Sequence, residues 1–371
     1  MRLFFSLAII VYGFTMTISL WHLLDLLKPF KIKYLFVSLY LIVGFSAIFI
    51  RLFDIKFSME IAAWLTRVGY VWMGLLTYIF VWSSFCLILK LFHIGPTLAK
   101  DRIIFFVVEV GLCFLIFITG YITATNVKIV KHELVSNKVD NLKIVQISDN
   151  HIGYMNSKKQ FDKIVRKIAK INPDLLLITG DFIENENNYA QKKDIGKSLR
   201  SLSIKYGIWA VKGNHEYIAG PDNSLHYMNS LGIKVLRDEI VELGESILLI
   251  GQEDIAVHRY GGVRLSLDEL LEPVKEKLHD KYIIVMSHQI PDHSFYENKN
   301  LDLVLSGHTH NGQIFPYNFV VKKIYDIGYG LVRRGESVFY VSSGTGIWGP
   351  PMRLCTKSEI VVFEIKNNNN K

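Results

Sequence analysis

Leu142-Lys143-Ile144-Val145-Gln146-Ile147 runs directly into Ser148-Asp149-Asn150-His151. An apolar run of strand length that ends on a carboxylate and an imidazole predicts a strand delivering polar side chains to one edge of a sheet. The same arrangement returns four times. Residues 175–178 precede Gly180-Asp181, Ile208–Val211 precede Gly213-Asn214-His215-Glu216, Tyr282–Met286 precede His288, and residues 303–305 precede Gly307-His308-Thr309-His310. Taken singly, Gly-Asp and Gly-Asn are ordinary turn dipeptides, and a lone His is a turn or core residue satisfied by backbone hydrogen bonds. Five strand ends in one order, each offering a hard oxygen or an imidazole, point instead to a single site.

Around these motifs the chain alternates strand-like and helical patterns, which predicts an α/β layer architecture. Phe161, Ile164, Val165, Ile168 and Ile171 recur at helical spacing until Pro173 ends the pattern. A second helix is expected over 267–278, started by a Ser266/Glu269 capping box and shortened or kinked by Pro273. Strands recur at 338–341 and 360–365. The expected fold is a two-sheet β-sandwich flanked by helices over residues 143–366, with 126–142 as linker and first strand approach. Residues 367–371, four asparagines and a lysine, read as a disordered tail.

Composition changes sharply near residue 125. Apolar stretches at 3–24, 34–53, 68–89 and 103–125 each approach the ~20 residues that cross a hydrocarbon core, so 1–125 is expected to be an all-α region of four transmembrane helices. A cleaved signal peptide does not account for three further spans. Up to residue 125 there are ten Lys and Arg against five Asp and Glu, which leaves 32 of the 42 basic and 29 of the 34 acidic residues beyond it. The later part is nearly neutral, which argues against nucleic acid as a partner and places much of the basic excess beside the bilayer. Four spans put both termini on one side. Lys28, Lys31, Lys33, Lys100 and Arg102 in connectors one and three slightly outnumber Arg2, Arg51, Lys56 and Arg67 elsewhere, so a cell-membrane, multi-pass protein with an extracytoplasmic second region is favoured. His22 and Glu109 fall within presumed spans, His22 as an interfacial anchor and Glu109 as an interhelical hydrogen bond or a protonated acid. Cys355 is the sole thiol after residue 125, so that region forms no internal disulfide.

A pair of divalent cations needs a shared carboxylate, and Asp181 is the natural candidate because Gly180 permits a tight turn before it. Asp149, His151 and His310 would complete one ion, and Asn214, His288 and His308 the other. A ligand set of oxygen and nitrogen without thiolate suits manganese, iron or zinc. Two such ions acidify a bridging water to a hydroxide and hold phosphoryl oxygens for in-line attack. His215 either protonates a leaving alkoxide or stabilises charge on the transition state. Glu216 either orients His215 or faces solvent. In the run 343–353, Gly344, Gly346 and Gly349 either bring a loop to substrate or make a structural turn, and Arg353 is a candidate phosphate contact.

Together these residues resemble the calcineurin-like metallophosphoesterase superfamily over residues 143–366. Ser148-Asp149-Asn150-His151-Ile152-Gly153, Gly307-His308-Thr309-His310-Asn311-Gly312-Gln313 and Gly344-Thr345-Gly346-Ile347-Trp348-Gly349 look like its bacterial membrane-associated branch. The resemblance implies the ligand roles above, with Asp181 bridging and His215 catalytic. Asn150 and Asn311 stand where many relatives carry an apolar residue and a glycine, which bears on pocket shape. The expected function is a membrane-anchored, binuclear metal-dependent phosphohydrolase acting on a phosphate-containing small molecule or a lipid-linked substrate, as in related pyrophosphatases that cleave UDP-diacylglucosamine. The alternatives are a phosphodiesterase or nucleotidase acting on soluble nucleotides, and a non-catalytic membrane sensor.

Overall fold

In the computed structural model the chain is described at every residue except 1, 29, 53–57, 97, 185–187, 291, 298 and 368–371; the helical side chains of 2–8, 47–52 and 99 also lie outside the description. It divides into two units, Met1–Ile122 with Gly349–Met352, and Thr123–Trp348 with Arg353–Lys371.

The first unit holds four helices, α1 Arg2–Leu26, α2 Lys33–Leu52, α3 Met59–Leu91 and α4 Ala99–Thr125, most of the last within it. Among the described residues, three stretches are long and apolar enough to cross a membrane, Ile9–Leu26, Met59–Leu91 and Lys100–Thr125. Among the described residues the expected four spans are therefore three candidates. The apolar part of α2 that is described, Lys33–Ser46, is shorter, and at ~1.5 Å per residue it covers about two thirds of a ~30 Å core. With three spans the even count behind the expected orientation is gone. His22 and Glu109 are both buried, and His22 Nε2 lies 3.0 Å from Glu109 Oε2. The pair joins α1 to α4, so His22 is an interior partner and not an interfacial anchor.

In the second unit the strands are β1 Lys128–Ser136, β2 Leu142–Ile147, β3 Leu175–Thr179, β4 Ile208–Val211, β5 Ile233–Leu236, β6 Glu239–Leu243, β7 Ile247–Gly251, β8 Tyr282–Met286, β9 Leu303–Ser306, β10 Gly330–Arg334, β11 Ser337–Val341 and β12 Glu359–Asn367. Its helices are α5 Lys158–Ile171, α6 Tyr189–Lys192, α7 Asn214–Ile218, α8 Pro221–Ser230, α9 Leu267–Leu271 and α10 Tyr317–Ile324. The strands form two six-stranded mixed sheets, ordered β1-β12-β2-β3-β4-β5 and β10-β11-β9-β8-β7-β6. Lys128–Ser136, within the stretch expected to link the two regions, pairs in parallel with β12 along its whole length. Asn367, expected in the tail, ends β12, and the remainder of that tail lies outside the described residues.

Period-two alternation divides the side chains between two cores. Ile144, Leu175, Leu177 and Val211 face Ile284, Met286, Leu303 and Leu305 of the other sheet. Val145, Ile147, Leu176 and Ile178 point outward and are covered by Phe161, Ile164, Val165 and Ile168 of α5. Each of those four side chains contributes about 1.5–3 kcal/mol of burial. Ser157 caps the start of α5 by accepting from Gln160 N, and Asn172, left-handed, ends it ahead of Pro173. The Ser266/Glu269 capping box forms, but α9 stops at Leu271 and the chain continues as a tighter helix through Pro273. β2, β3 and β4 are parallel within their sheet, as are β8 and β9 within theirs, so the motifs that follow them leave from the carboxyl ends of strands.

Candidate metal centre

Between the two sheets lies a polar tie. Gln146, fully buried, donates from Nε2 to Thr179 Oγ1 at 2.9 Å and to Ser306 O at 3.0 Å. It joins β2, β3 and β9 one turn below the ligand-bearing loops, and sequence reading, which counted it as part of an apolar run, missed it.

Above that tie the loops converge. Asp149 (φ 51°), His151 (42°), Asp181 (50°), His308 (73°) and His310 (49°) all hold left-handed backbone, which costs a non-glycine residue of order 1 kcal/mol or more and persists where the surroundings enforce it. Gly180 (φ 86°) turns the chain where an added Cβ would meet His288 Nδ1 at 2.5 Å, and at Gly307 it would meet Asp149 Oδ2 at 2.4 Å. Neighbouring glycines thus let these side chains approach one another.

Ligand-type atoms lie within 4.8 Å of one another in three groups: Asp149, His151 and His310; His151, Asp181 and His215; Asp181, His288 and His308. Asp181 Oδ2 is 3.2 Å from His288 Nε2 and 3.8 Å from His151 Nε2, while His310 Nε2 lies 3.5 Å from Asp149 Oδ1. His151 Nε2 faces His310 Nε2 at 3.1 Å. Ring nitrogens of two histidines this close, beside a buried His288 Nε2 that faces the Asp181 carboxylate at 3.2 Å, form a donor set that fits a cation. Asn214 opens α7, and its Oδ1 lies 3.3 Å from Gln289 Nε2, which also donates to Asp254 Oδ1 and Oδ2 at 3.0 and 3.1 Å.

Charge differentiates the imidazoles. Burial disfavours the cations of His215, His288, His308 and His310, but Asp181 overcomes it at His288, holding that ring well above its ordinary range. At His215, Glu184 and Asp181 together raise the ring to about 9 against the same burial. His308 has no such excess of carboxylate, and burial with the neighbouring His288 pushes it down to about 3. Burial, His151 and Arg353 hold His310 well below its usual range. Burial would raise the Asp181 carboxyl, yet His288, His215 and His151 outweigh it and keep it well below the ordinary carboxylate value.

Glu184 was missed entirely in the sequence. Its Oε2 lies 2.9 Å from His151 Nδ1 and 3.2 Å from His215 Nδ1, so one carboxylate backs both rings. The usable signal was its place three residues after Asp181. Glu216 takes neither role expected of it. It is fully buried, and it accepts from the N–H groups of Asp181, Ile183 and Gly213 at 3.0, 2.8 and 2.7 Å, which clamps two motif loops together.

Arg353 is fully buried as well. Its Nη2 donates to Gly346 O at 2.9 Å and lies 3.3 Å from His310 Nδ1, and Nη1 donates to Lys357 O at 3.1 Å. The guanidinium therefore sits behind His310, with Nε alone lacking a hydrogen-bond partner among the described residues. An added Cβ on Gly346 would meet Asn150 O at 2.2 Å, so this glycine packs against the Asp149 loop. Trp348 is about half exposed, its ring centroid 6.0 Å from that of His215.

A profile of the calcineurin-like phosphoesterase family matches residues 142–312. A metallophosphoesterase of Aquifex aeolicus is 33% identical over 231 residues, 62% of this chain and 87% of that protein. The chain belongs to the calcineurin-like phosphoesterase family. Two further relatives match a similar part of the chain. A metallophosphoesterase of Helicobacter pylori is 34% identical over 245 residues, 65% of each chain. A bovine transmembrane protein with metallophosphoesterase domain is 32% identical over 251 residues, 64% of this chain and 55% of that one. The chain thus spans just under two thirds of the Helicobacter relative.

Proposed function

We propose that the chain is a membrane-anchored, metal-dependent phosphohydrolase that holds two divalent cations, manganese, iron or zinc, and cleaves a phosphoester or pyrophosphate bond. The observation that carries this reading is the sharing of ligands. His151 and Asp181 each belong to two of the three groups, as a pair of adjacent cations requires. Asp149, His151 and His310 would hold one ion, and Asn214, His288 and His308 the other, with Asp181 common to both.

Bound divalent ions supply an acidified water and neutralise charge on the phosphoryl oxygens. His215, kept cationic near neutral pH by Glu184 and Asp181, donates its proton to the departing oxygen. Arg353 orients His310 and the glycine loop from behind, instead of meeting substrate. The three apolar helices favour a substrate carried at the membrane, such as a lipid-linked phosphate, over a soluble nucleotide. A sensor without activity would have no use for a carboxylate holding an acid beside the ligand groups.

The test is hydrolysis of aryl phosphate monoesters and diesters by the full chain in detergent, stripped with chelator and resupplied with Mn²⁺. Turnover restored by the metal in wild type and lost in Asp181→Asn supports the proposal. Turnover that ignores metal, or an Asp181→Asn variant as active as wild type, overturns it.

A further inference from the structure

Helix α10 differs from the other α-helices of the second unit, each of which buries at least one residue. Phe315, Tyr317, Phe319, Val320 and Ile324, all between 41 and 68% exposed, crowd one ten-residue stretch, and α10 itself buries no residue. Lys322 and Lys323 lie on the last turn among them. A short segment rich in exposed aromatic and branched apolar side chains that ends in a pair of lysines has the composition of a helix lying in the interface of a bilayer, where rings sit at headgroup depth and lysines meet lipid phosphate. A protein partner would be expected to meet fewer lysines beside so apolar a patch.

The rest of the chain supplies the membrane. Three helices are long and apolar enough to cross one, and only two residues separate the end of α4 at Thr125 from the start of β1 at Lys128. We infer that α10 is an interfacial helix, docking the second unit onto an anionic lipid surface. This rests on the membrane anchoring proposed above but not on the hydrolase chemistry.

Docking there has a consequence for the site. Gln313, which follows the His310 loop and precedes α10, clasps Trp348 in both directions, Nε2 to Trp348 O at 2.7 Å and Trp348 N to Oε1 at 3.0 Å. Thr356 Oγ1 also donates to Gln313 O at 3.0 Å. α10, the His310 loop and the exposed Trp348 ring beside His215 are therefore tied through one glutamine. The residue that leads into α10 thus contacts both the His310 loop and the Trp348 backbone, and the substrate class that fits is a phosphate ester or anhydride on a lipid still seated in its bilayer.

The experiment attaches bimane to Phe319→Cys in the full-length chain, in a Cys355→Ser background whose own labelling sets the baseline. The protein is reconstituted into phosphatidylcholine–phosphatidylglycerol vesicles containing nitroxide-labelled lipid. Glu272→Cys, at a charged and well-exposed surface site, is the control. Quenching at position 319 at least about twice that at 272, and weaker when phosphatidylglycerol is omitted, is the expected result for an interfacial helix. Quenching at 319 equal to that at 272 overturns the inference. Cross-linking of 319 between copies without lipid quenching assigns the face to a second copy of the chain and overturns it too. A paired Phe319→Glu, Val320→Glu variant is expected to keep aryl phosphate turnover while losing about tenfold on a phosphate ester presented in vesicles. A chain with no turnover on either substrate yet with quenching at 319 keeps the docking and discards the hydrolase.

Discussion

Glu184 and Glu216 are two buried glutamates flanking the same Asp181 loop, and their acid strengths go opposite ways. Burial raises both. At Glu184 the imidazoles of His215 and His151 overcome it and hold the carboxyl far below its ordinary range. At Glu216 the Asp181 carboxylate adds to burial, and backbone N–H donors only partly offset it, leaving the group at about 7. One side of Asp181 thus carries a fixed negative charge aimed at imidazoles. The other carries a carboxyl poised near neutrality and aimed at backbone. Depth of burial does not separate a charge with a chemical role from one with a structural role; the identity of the facing groups does.

Asp181→Asn should break the contrast altogether, and it is the largest effect expected. It withdraws the charge that raises both His215 and Glu216, and it removes the ligand common to two groups. Turnover of an aryl phosphate should fall on the order of 10³-fold or more, with bound metal reduced in elemental analysis. Retained metal with full turnover would remove Asp181 from the centre of the site.

Glu184→Gln tests the chemical side alone. With metal content unchanged, kcat should fall roughly 10- to 100-fold, within the range of a general acid deprived of its tuning partner. The sign is fixed by the shift: His215 is raised, so the acid form is present below about 9 and is lost as pH rises through that value. The alkaline fall of the wild-type pH profile should move to lower pH in the variant. An unmoved profile would mean that Glu184 only packs.

Glu216→Gln tests the structural side, and its signature should be the reverse. One amide oxygen can keep the Asp181 and Gly213 N–H groups but leaves that of Ile183 unpaired, costing about 1–3 kcal/mol of stability, with kcat changed less than about tenfold. In chelator-treated protein the raised Glu216 stabilises fully below the unfolded value near 4.5, and this contribution is lost as pH rises through about 7. Thermal unfolding in detergent should show that slope in wild type and not in the variant.

The asymmetry also explains what could be read from sequence. The five motif-bearing strands were legible because an apolar run ending in Asp, Asn or His is a local pattern, and each candidate ligand lies within four residues of its strand. Glu184 was not legible, since its partners His151 and His215 are 33 and 31 positions away, reached only when β2, β3 and β4 lie side by side. Gln146 hid in the same way, a polar residue inside a strand whose partner β9 belongs to the other sheet. Arg353 was legible as unusual but not as buried, because a guanidinium that meets phosphate and one that meets carbonyl oxygens look alike in a sequence. The stretch expected as a second span does form one helix, α2, of which the described apolar part is Lys33–Ser46.

His293 gives the smallest effect and extends the contrast from carboxyls to imidazoles. Its ring is buried, its Nδ1 lies 3.6 Å from Asp326 Oδ2, and Phe339 packs edge-on with centroids 5.5 Å apart. Burial pushes it down to about 4, with Asp326 opposing too weakly, whereas Glu184 lifts the equally enclosed His215 to about 9. The folded state therefore prefers the neutral ring. Stability from this group is complete above the unfolded value near 6.5 and is lost as pH falls through 6.5 toward 4. Between pH 7 and pH 5.5 the loss should be about 1 kcal/mol, or a few degrees in Tm. His293→Gln cannot titrate, so its melting temperature should change less over that interval than that of wild type. Equal slopes for the two proteins would show that Asp326 holds the His293 cation after all, and would make a carboxylate 3.6 Å from a buried ring as effective as Glu184 at 3.2 Å.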